Sequence, residues 1–290
     1  MELSSEQRDK LLLFQAEELL GYHSYSRLAK RVKDPHNREI IERIADEELS
    51  HYETWKGYTG QDVEPDWGKV RRFEFLSRVF GFTFGIRLLE LDEDQSIVGY
   101  ETLRGVIPEI DEIIAEEQEH EDELIDMLDE ESLKYSGSVV LGLNDALVEL
   151  TGALAGFTLA FQNTTTVALS GLITGIAATL SMAASEYLAT SAEKGHGKNP
   201  MKAMVYTGIA YIATVIFLIL PYLLIQNYFV ALGVMLATAV LIIAAFNYYA
   251  SITENTPFFP RFLRMVAISM GVALLSFLLG LVIHNATGEG

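Results

Sequence analysis

The chain has 290 residues, half of them hydrophobic, which is enough for about two domains, and its 40 acidic residues outnumber its 21 basic ones. Residues 137–290 hold five basic and six acidic residues, so the first 136 carry 16 basic against 34 acidic ones, a net −18 that repels nucleic-acid phosphates and attracts cations. With no cysteine in the chain, disulfides, zinc ribbons, rubredoxin-type iron sites, iron–sulfur clusters and thiol nucleophiles are all excluded.

In chain order, the first 30 residues include Glu17 and Glu18 and no clean apolar run ahead of a small-residue cleavage site, so they read as structure and not as a signal peptide. The acidic half reads as four long amphipathic helices. Helix one covers about 5–32. Helix two opens at Asp34-Pro35, an N-cap followed by proline at the first helical position, and ends near Gly60. A third helical segment covers 69–105, and a last helix opens at Pro108 and runs to about Tyr135. Four helices with one long crossover follow the ferritin-like bundle pattern. The stretch 70–86 is aromatic and basic within an otherwise acidic half, and reads either as an amphipathic helix at a bilayer interface or as the hydrophobic first part of helix three.

Helix two carries Glu48-Leu-Ser-His51 and helix four carries Glu117-Gln-Glu-His120, each a Glu-x-x-His pair on one helix face. A di-iron or di-manganese site in a bundle needs this pair on two helices and one glutamate from each of the others. Helix one offers Glu17 and Glu18, and helix three offers Glu90 and Glu93. The surrounding runs, which include Glu47 and Glu116, otherwise read as a solvated face.

After Gly137 come five apolar stretches, about 139–161, 167–190, 204–225, 228–250 and 263–284, each near the roughly 20 residues that span hydrocarbon as a helix. The connectors near 193–202 and 254–264 hold three lysines and two arginines, while those near 162–166 and 226–227 are uncharged. Positive loops face the cytoplasm, which predicts a cytoplasmic N-terminal half and an outside C-terminus. The first span places Asp145 and Glu149 four residues apart, and the second places Met182 and Glu186 likewise. A carboxylate at membrane depth costs about 2.5–3.5 kcal/mol on insertion scales, and neither span offers a lysine or arginine to offset it. A divalent metal or a proton is then the compensating charge, and carboxylate oxygens with a thioether suit iron or manganese. Gly152 and Gly156, and Gly171 and Gly175, form small-xxx-small faces that predict close contact between the first two spans. The other three spans read as scaffold.

These motifs resemble known families. Glu18 followed by Tyr25, with Glu48-x-x-His51, Glu93 through Tyr100 and Glu117-x-x-His120, resembles the rubrerythrin and ferritin-like superfamily. Asn144-Asp145 and Met182-Ala-Ala-Ser-Glu186-Tyr187 resemble the vacuolar iron transporter family. Together they resemble the prokaryotic membrane-bound ferritins over nearly the whole chain. The resemblance implies an all-α chain in which residues 1–134 form a cytoplasmic ferritin-like four-helix bundle and residues 137–290 a five-span membrane domain. It implies a di-metal site of Glu18, Glu48, His51, Glu93, Glu117 and His120, holding two Fe(II)/Fe(III) ions or Mn(II), and a transport site of Asp145, Glu149, Met182 and Glu186. It also implies a homodimer in a prokaryotic cell membrane that exchanges Fe(II) or Mn(II) for protons. Two departures stand out. Ser96 occupies the position of an additional rubrerythrin glutamate, which counts against peroxidase chemistry, and the short stretch Glu193 to Lys202 replaces the glutamate-rich insert of eukaryotic transporters. The expected function is export of Fe(II) from the cytoplasm; the rival reading is a membrane-anchored ferroxidase or peroxide scavenger, and a third is a metal sensor without flux.

Overall fold

The computed structural model describes residues 4–128, 134–192 and 198–287, with Glu6, residues 92–95 and Thr287 described by their backbone alone. Among the described residues there are long helices, one short 3-10 turn and no strand, and the chain divides into two compact units, Met1–Asp129 and Glu130–Gly290.

The first unit contains α1 (Ser5–Ala29), α2 (Pro35–Thr59), α3 (Trp67–Phe80), α4 (Phe82–Tyr100) and α5 (Ile110–Asp126). Local chemistry sets most of the boundaries. The Ser4 side chain and Gln7 form a capping box at the start of α1, and the Asp34 carboxylate accepts from Asn37 N at 3.0 Å with Pro35 behind it. Gly60, at φ 65°, stops α2 in the left-handed conformation that glycine adopts most readily. The expected third helix is in fact two. Gly81 takes φ 94° and ψ 178°, a conformation closed to helix, and it separates α3 from α4. The last helix is shorter than the expected 108–135: Met127 N closes it on Glu123 O, and residues 129–133 lie outside the described ones.

In this unit α1 packs along α2 and also meets α3 and α4, while α4 packs on α5. Leu11, Trp55, Tyr100, Ile110 and Ile114 form the centre of its core. The aromatic and basic stretch has two faces on α3. Val70 and Phe73 are buried, whereas Phe75 and Val79 are 63 % and 57 % exposed beside the exposed Arg71, Arg72 and Arg78.

The second unit contains α6 (Ser136–Phe161), α7 (Thr164–Ala192), α8 (Pro200–Leu224), α9 (Tyr228–Thr253) and α10 (Phe258–Thr287), five helices long and apolar enough to cross a membrane. Asn199 with Pro200 caps α8, which begins a few residues before its apolar run, and Asn227 caps α9, which begins with its run. One helix pairing differs from expectation. The Gly152–Gly156 face meets α10, not α7: a Cβ on Gly280 would stand 2.3 Å from Gly156 O, and one on Gly152 would stand 2.7 Å from Val272. Gly171 on α7 does face α6 through Leu154, and Gly175 faces Val215 on α8. A small-residue stripe specifies close approach but leaves the partner open. The apolar exterior of the unit, including Leu223, Leu241 and Leu275, is what a multi-pass integral membrane protein presents to lipid.

Candidate metal sites

In the first unit, α1 supplies Glu18, α2 supplies Glu48 and His51, and α5 supplies Glu117 and His120. All five are at most 4 % exposed. Their sequence neighbours are not: Glu17 is exposed, and Glu47 and Glu116 are half-buried. Adjacent helical residues lie about 100° apart, so only one of each glutamate pair can point inward. Ligand atoms of Glu18, Glu48, His51 and Glu117 all lie within 4.8 Å of one another. His51 Nδ1 is 3.2 Å from Glu117 Oε1 and 3.6 Å from Glu18 Oε2, and His120 Nδ1 is 3.5 Å from Glu48 Oε1 and 3.4 Å from Glu117 Oε2.

The outer ring nitrogens are held by the glutamates that sequence reasoning left on the solvated face. His51 Nε2 bonds Glu116 Oε2 at 2.7 Å, and His120 Nε2 bonds Glu47 Oε2 at 2.8 Å. Each doublet Glu47-Glu48 and Glu116-Glu117 therefore turns one carboxylate into the site and uses the other to orient the histidine of the opposite helix. A carboxylate on Nε2 fixes the tautomer with its free lone pair on Nδ1, the arrangement found around metal-ligating histidines. The Glu-Glu-x-x-His repeat was the available signal. Arg43 in turn donates to Glu47 at 2.8 and 2.9 Å and reaches Glu123. On the far side, Glu18 Oε1 accepts from Trp55 Nε1 at 2.8 Å and from the Tyr100 hydroxyl. Gly21 leaves room for Glu48, since a Cβ there would stand 2.2 Å from Glu48 Oε2.

Burial, followed by the Glu117 and Glu18 carboxylates, raises the Glu48 pKa well above the ordinary carboxylate value. Burial alone would discharge His51, but Glu117 and Glu18 beside it outweigh burial and push its pKa up to about 12. Both shifts favour the protonated side chains, so a divalent cation competes with protons for this pocket. Glu48 Oε1 and His51 Nδ1 are buried without a hydrogen bond, and buried polar atoms in that state are rare. Carboxylate oxygens with imidazole nitrogen fit iron or manganese. Of the helix-three candidates, Glu90 is 9 % exposed and is bound at 2.5 Å by Arg87, outside the cluster, while the Glu93 side chain lies outside the described residues.

In the second unit, Asp145, Glu149 and Met182 line one cavity of about 510 Å³ between α6 and α7, together with Thr174, Ser181 and Ser185. Among the described residues no lysine or arginine lines it. Glu186 does not line this cavity. It lies one turn beyond Met182 and accepts from Ser138 Oγ at 2.6 Å. The third span contributes more than scaffold, because the Tyr211 hydroxyl donates to Glu149 Oε2 at 3.3 Å. Nothing in the apolar run of that span marked Tyr211 out beforehand.

The VIT family model matches residues 136–198, the stretch that holds the first two spans and all four expected transport residues. None of the curated proteins and none of the solved structures matches the chain. The family match and the five apolar helices support a membrane domain of the vacuolar iron transporter type, and the match suggests metal-ion transport.

Proposed function

We propose that the protein moves Fe(II), and Mn(II) by the same chemistry, out of the cytoplasm in exchange for protons, and that residues 1–134 form a cytoplasmic ferritin-like domain that binds two metal ions and feeds them to a membrane domain of residues 137–290. The observation that carries the reading is the cavity of Asp145, Glu149 and Met182, three metal-compatible side chains on spans that provide no lysine or arginine to neutralise them. A carboxylate that binds a metal in one state and a proton in another provides exchange without a further component. Glu186, held by Ser138, is the fourth transport residue, nearer the end of the spans where α6 begins. Glu18, Glu48, His51, Glu93, Glu117 and His120 are the proposed ligands of the cytoplasmic site, and the chain works as a homodimer.

The rival reading, a membrane-anchored ferroxidase, draws on the buried Glu18, Glu48, His51 and Glu117 group. An anchor has no use for intramembrane carboxylates, which is why transport is preferred. Proteoliposomes loaded with a metal-sensitive dye separate the two when oxygen uptake is followed in parallel. Transport predicts dye response to Fe(II) and to Mn(II), with an accompanying pH change. Oxygen uptake without dye response would leave the ferroxidase standing and remove the transporter.

A further inference from the structure

The first span has a second polar face that the transport reading leaves unused. Asp145 and Glu149 look toward α7, whereas Asn144, one residue and about 100° away, lines a separate cavity of about 240 Å³ closed by α9 and α10. Asn247, Arg261 and Arg264 complete its polar lining, Phe246 and Ile268 belong to its apolar part, and among the described residues no carboxylate lines it. Arg261 is tied to Glu254 at 2.5 Å and to Thr256 at 2.7 Å. Arg264 makes no ion pair among the described residues. Asn247 is 4 % exposed and spends its Nδ2 on Ile243 O at 2.8 Å and on Met265 sulfur. Asn144 Oδ1 is buried and has no hydrogen-bond partner.

Arg264, outside any ion pair among the described residues and next to the Glu254-paired Arg261, asks for an anion, and an orphaned carbonyl oxygen asks for a donor. The cavity sits where α6 begins and α9 ends, the region of lipid head groups for helices of this length. Its volume falls below the roughly 300–1,000 Å³ of drug-sized sites, as suits a single head group. From Arg264, the residues Ile268, Leu275 and Leu279 follow one stripe of α10 and are 51 %, 64 % and 63 % exposed, an apolar track that continues away from the cavity.

We infer that this cavity binds the phosphodiester head group of an anionic glycerophospholipid that carries its own hydroxyl donor, with the phosphate on Arg264 and Arg261, the donor on Asn144 Oδ1, and an acyl chain along the Ile268 to Leu279 stripe. Basic pockets between transmembrane helices on the cytoplasmic side take anionic head groups in this manner. Binding there clamps α10 to α6 and α9 beside the transport helix.

The test is thermal unfolding of the full chain in an uncharged detergent, titrated with dioctanoyl-phosphatidylglycerol, dioctanoyl-phosphatidylcholine or inorganic phosphate. A saturable rise in Tm with phosphatidylglycerol is expected, with much weaker responses to phosphatidylcholine, which lacks the donor, and to phosphate, which lacks the chain. R264Q, an exposed substitution, should need about fivefold more phosphatidylglycerol, and Arg264→Lys should recover most of that loss. Native mass spectrometry of lipid retained by the two variants provides a readout independent of Tm. An unchanged midpoint and unchanged retention in R264Q would overturn the assignment. So would an equal response to phosphatidylcholine, and a full shift with inorganic phosphate alone would reduce the site to one for a free ion.

Discussion

Gly21→Ala is the sharpest test of the buried cluster, because it adds one methyl group and removes no ligand. The new Cβ would stand 2.2 Å from Glu48 Oε2 and 3.0 Å from its Cδ, so the carboxylate must swing away. The end of a glutamate side chain yields easily. The overpacking cost of about 1–3 kcal/mol seen in rigid cores is therefore an upper bound. Against it stands about 1 kcal/mol of helix propensity gained when alanine replaces glycine in the body of α1. The metal-free protein should accordingly unfold close to the wild-type temperature. Metal ligation is less forgiving, since ligand distances hold within about 0.2 Å and disturbances of supporting groups cost about 10–100-fold in affinity. Anaerobic titration with Fe(II), or with Mn(II) as the air-stable probe, should show that loss. Gly57→Ala is the control, for nothing lies within 4 Å of a Cβ there, and it should bind metal normally. A folded Gly21→Ala protein that binds metal with wild-type affinity would refute the placement of Glu48 as a ligand.

Glu47→Gln and Glu116→Gln should each lower metal affinity at the same site by about tenfold with little change in Tm, because each weakens the partner of a histidine Nε2 and removes no ligand; titration and calorimetry together check this. Tyr211→Phe should slow metal flux less than Glu149→Gln does, since it removes a 3.3 Å hydrogen bond and leaves the carboxylate in place. Gly280→Leu should cost several kcal/mol and prevent recovery of folded protein in detergent, because the side chain meets Gly156 O at backbone distance, whereas Gly271→Ala, with open space around it, should be recovered normally. Deleting residues 1–134 should leave a metal-conducting protein that needs more metal for half-maximal flux, and the difference should shrink as added salt screens the acidic domain. Equal half-saturation in the two proteins would mean that the domain does not collect metal for transport.

Much of this arrangement was legible in the sequence, and the gaps have physical causes. The spans announce themselves because hydrocarbon thickness sets a length that few soluble helices reach with so little charge. The paired Glu-x-x-His motifs mark α2 and α5 because three-residue spacing puts two side chains on one face. Which glutamate of each doublet turns inward was open, since Glu17 and Glu18, Glu47 and Glu48, and Glu116 and Glu117 differ only in helix register, and register follows from packing against partners distant in sequence. The break at Gly81 was hidden in an aromatic run, where Phe80 and Phe82 on either side suit a helix interior equally well. The partner of the Gly152–Gly156 stripe could not be read because its complement, Ser276 and Gly280, lies more than 100 residues away. Glu186, which the motif groups with Asp145, lies one turn beyond the cavity and accepts from Ser138 near the beginning of α6, a position that helix register along the span settles and the motif does not.

The most direct measurement of the central claim is Mn(II) flux into liposomes that contain the full chain, compared with the Asp145→Asn, Glu149→Gln double variant reconstituted at the same density. Both substitutions keep side-chain shape while removing charge from the cavity shared with Met182. The wild-type protein should carry metal saturably and move protons the other way. The double variant should bind metal at its Glu48, His51 and Glu117 cluster as before and carry almost none. Undiminished flux through the double variant would show that metal crosses elsewhere, or that the cavity of Asp145, Glu149 and Met182 is not a transport site.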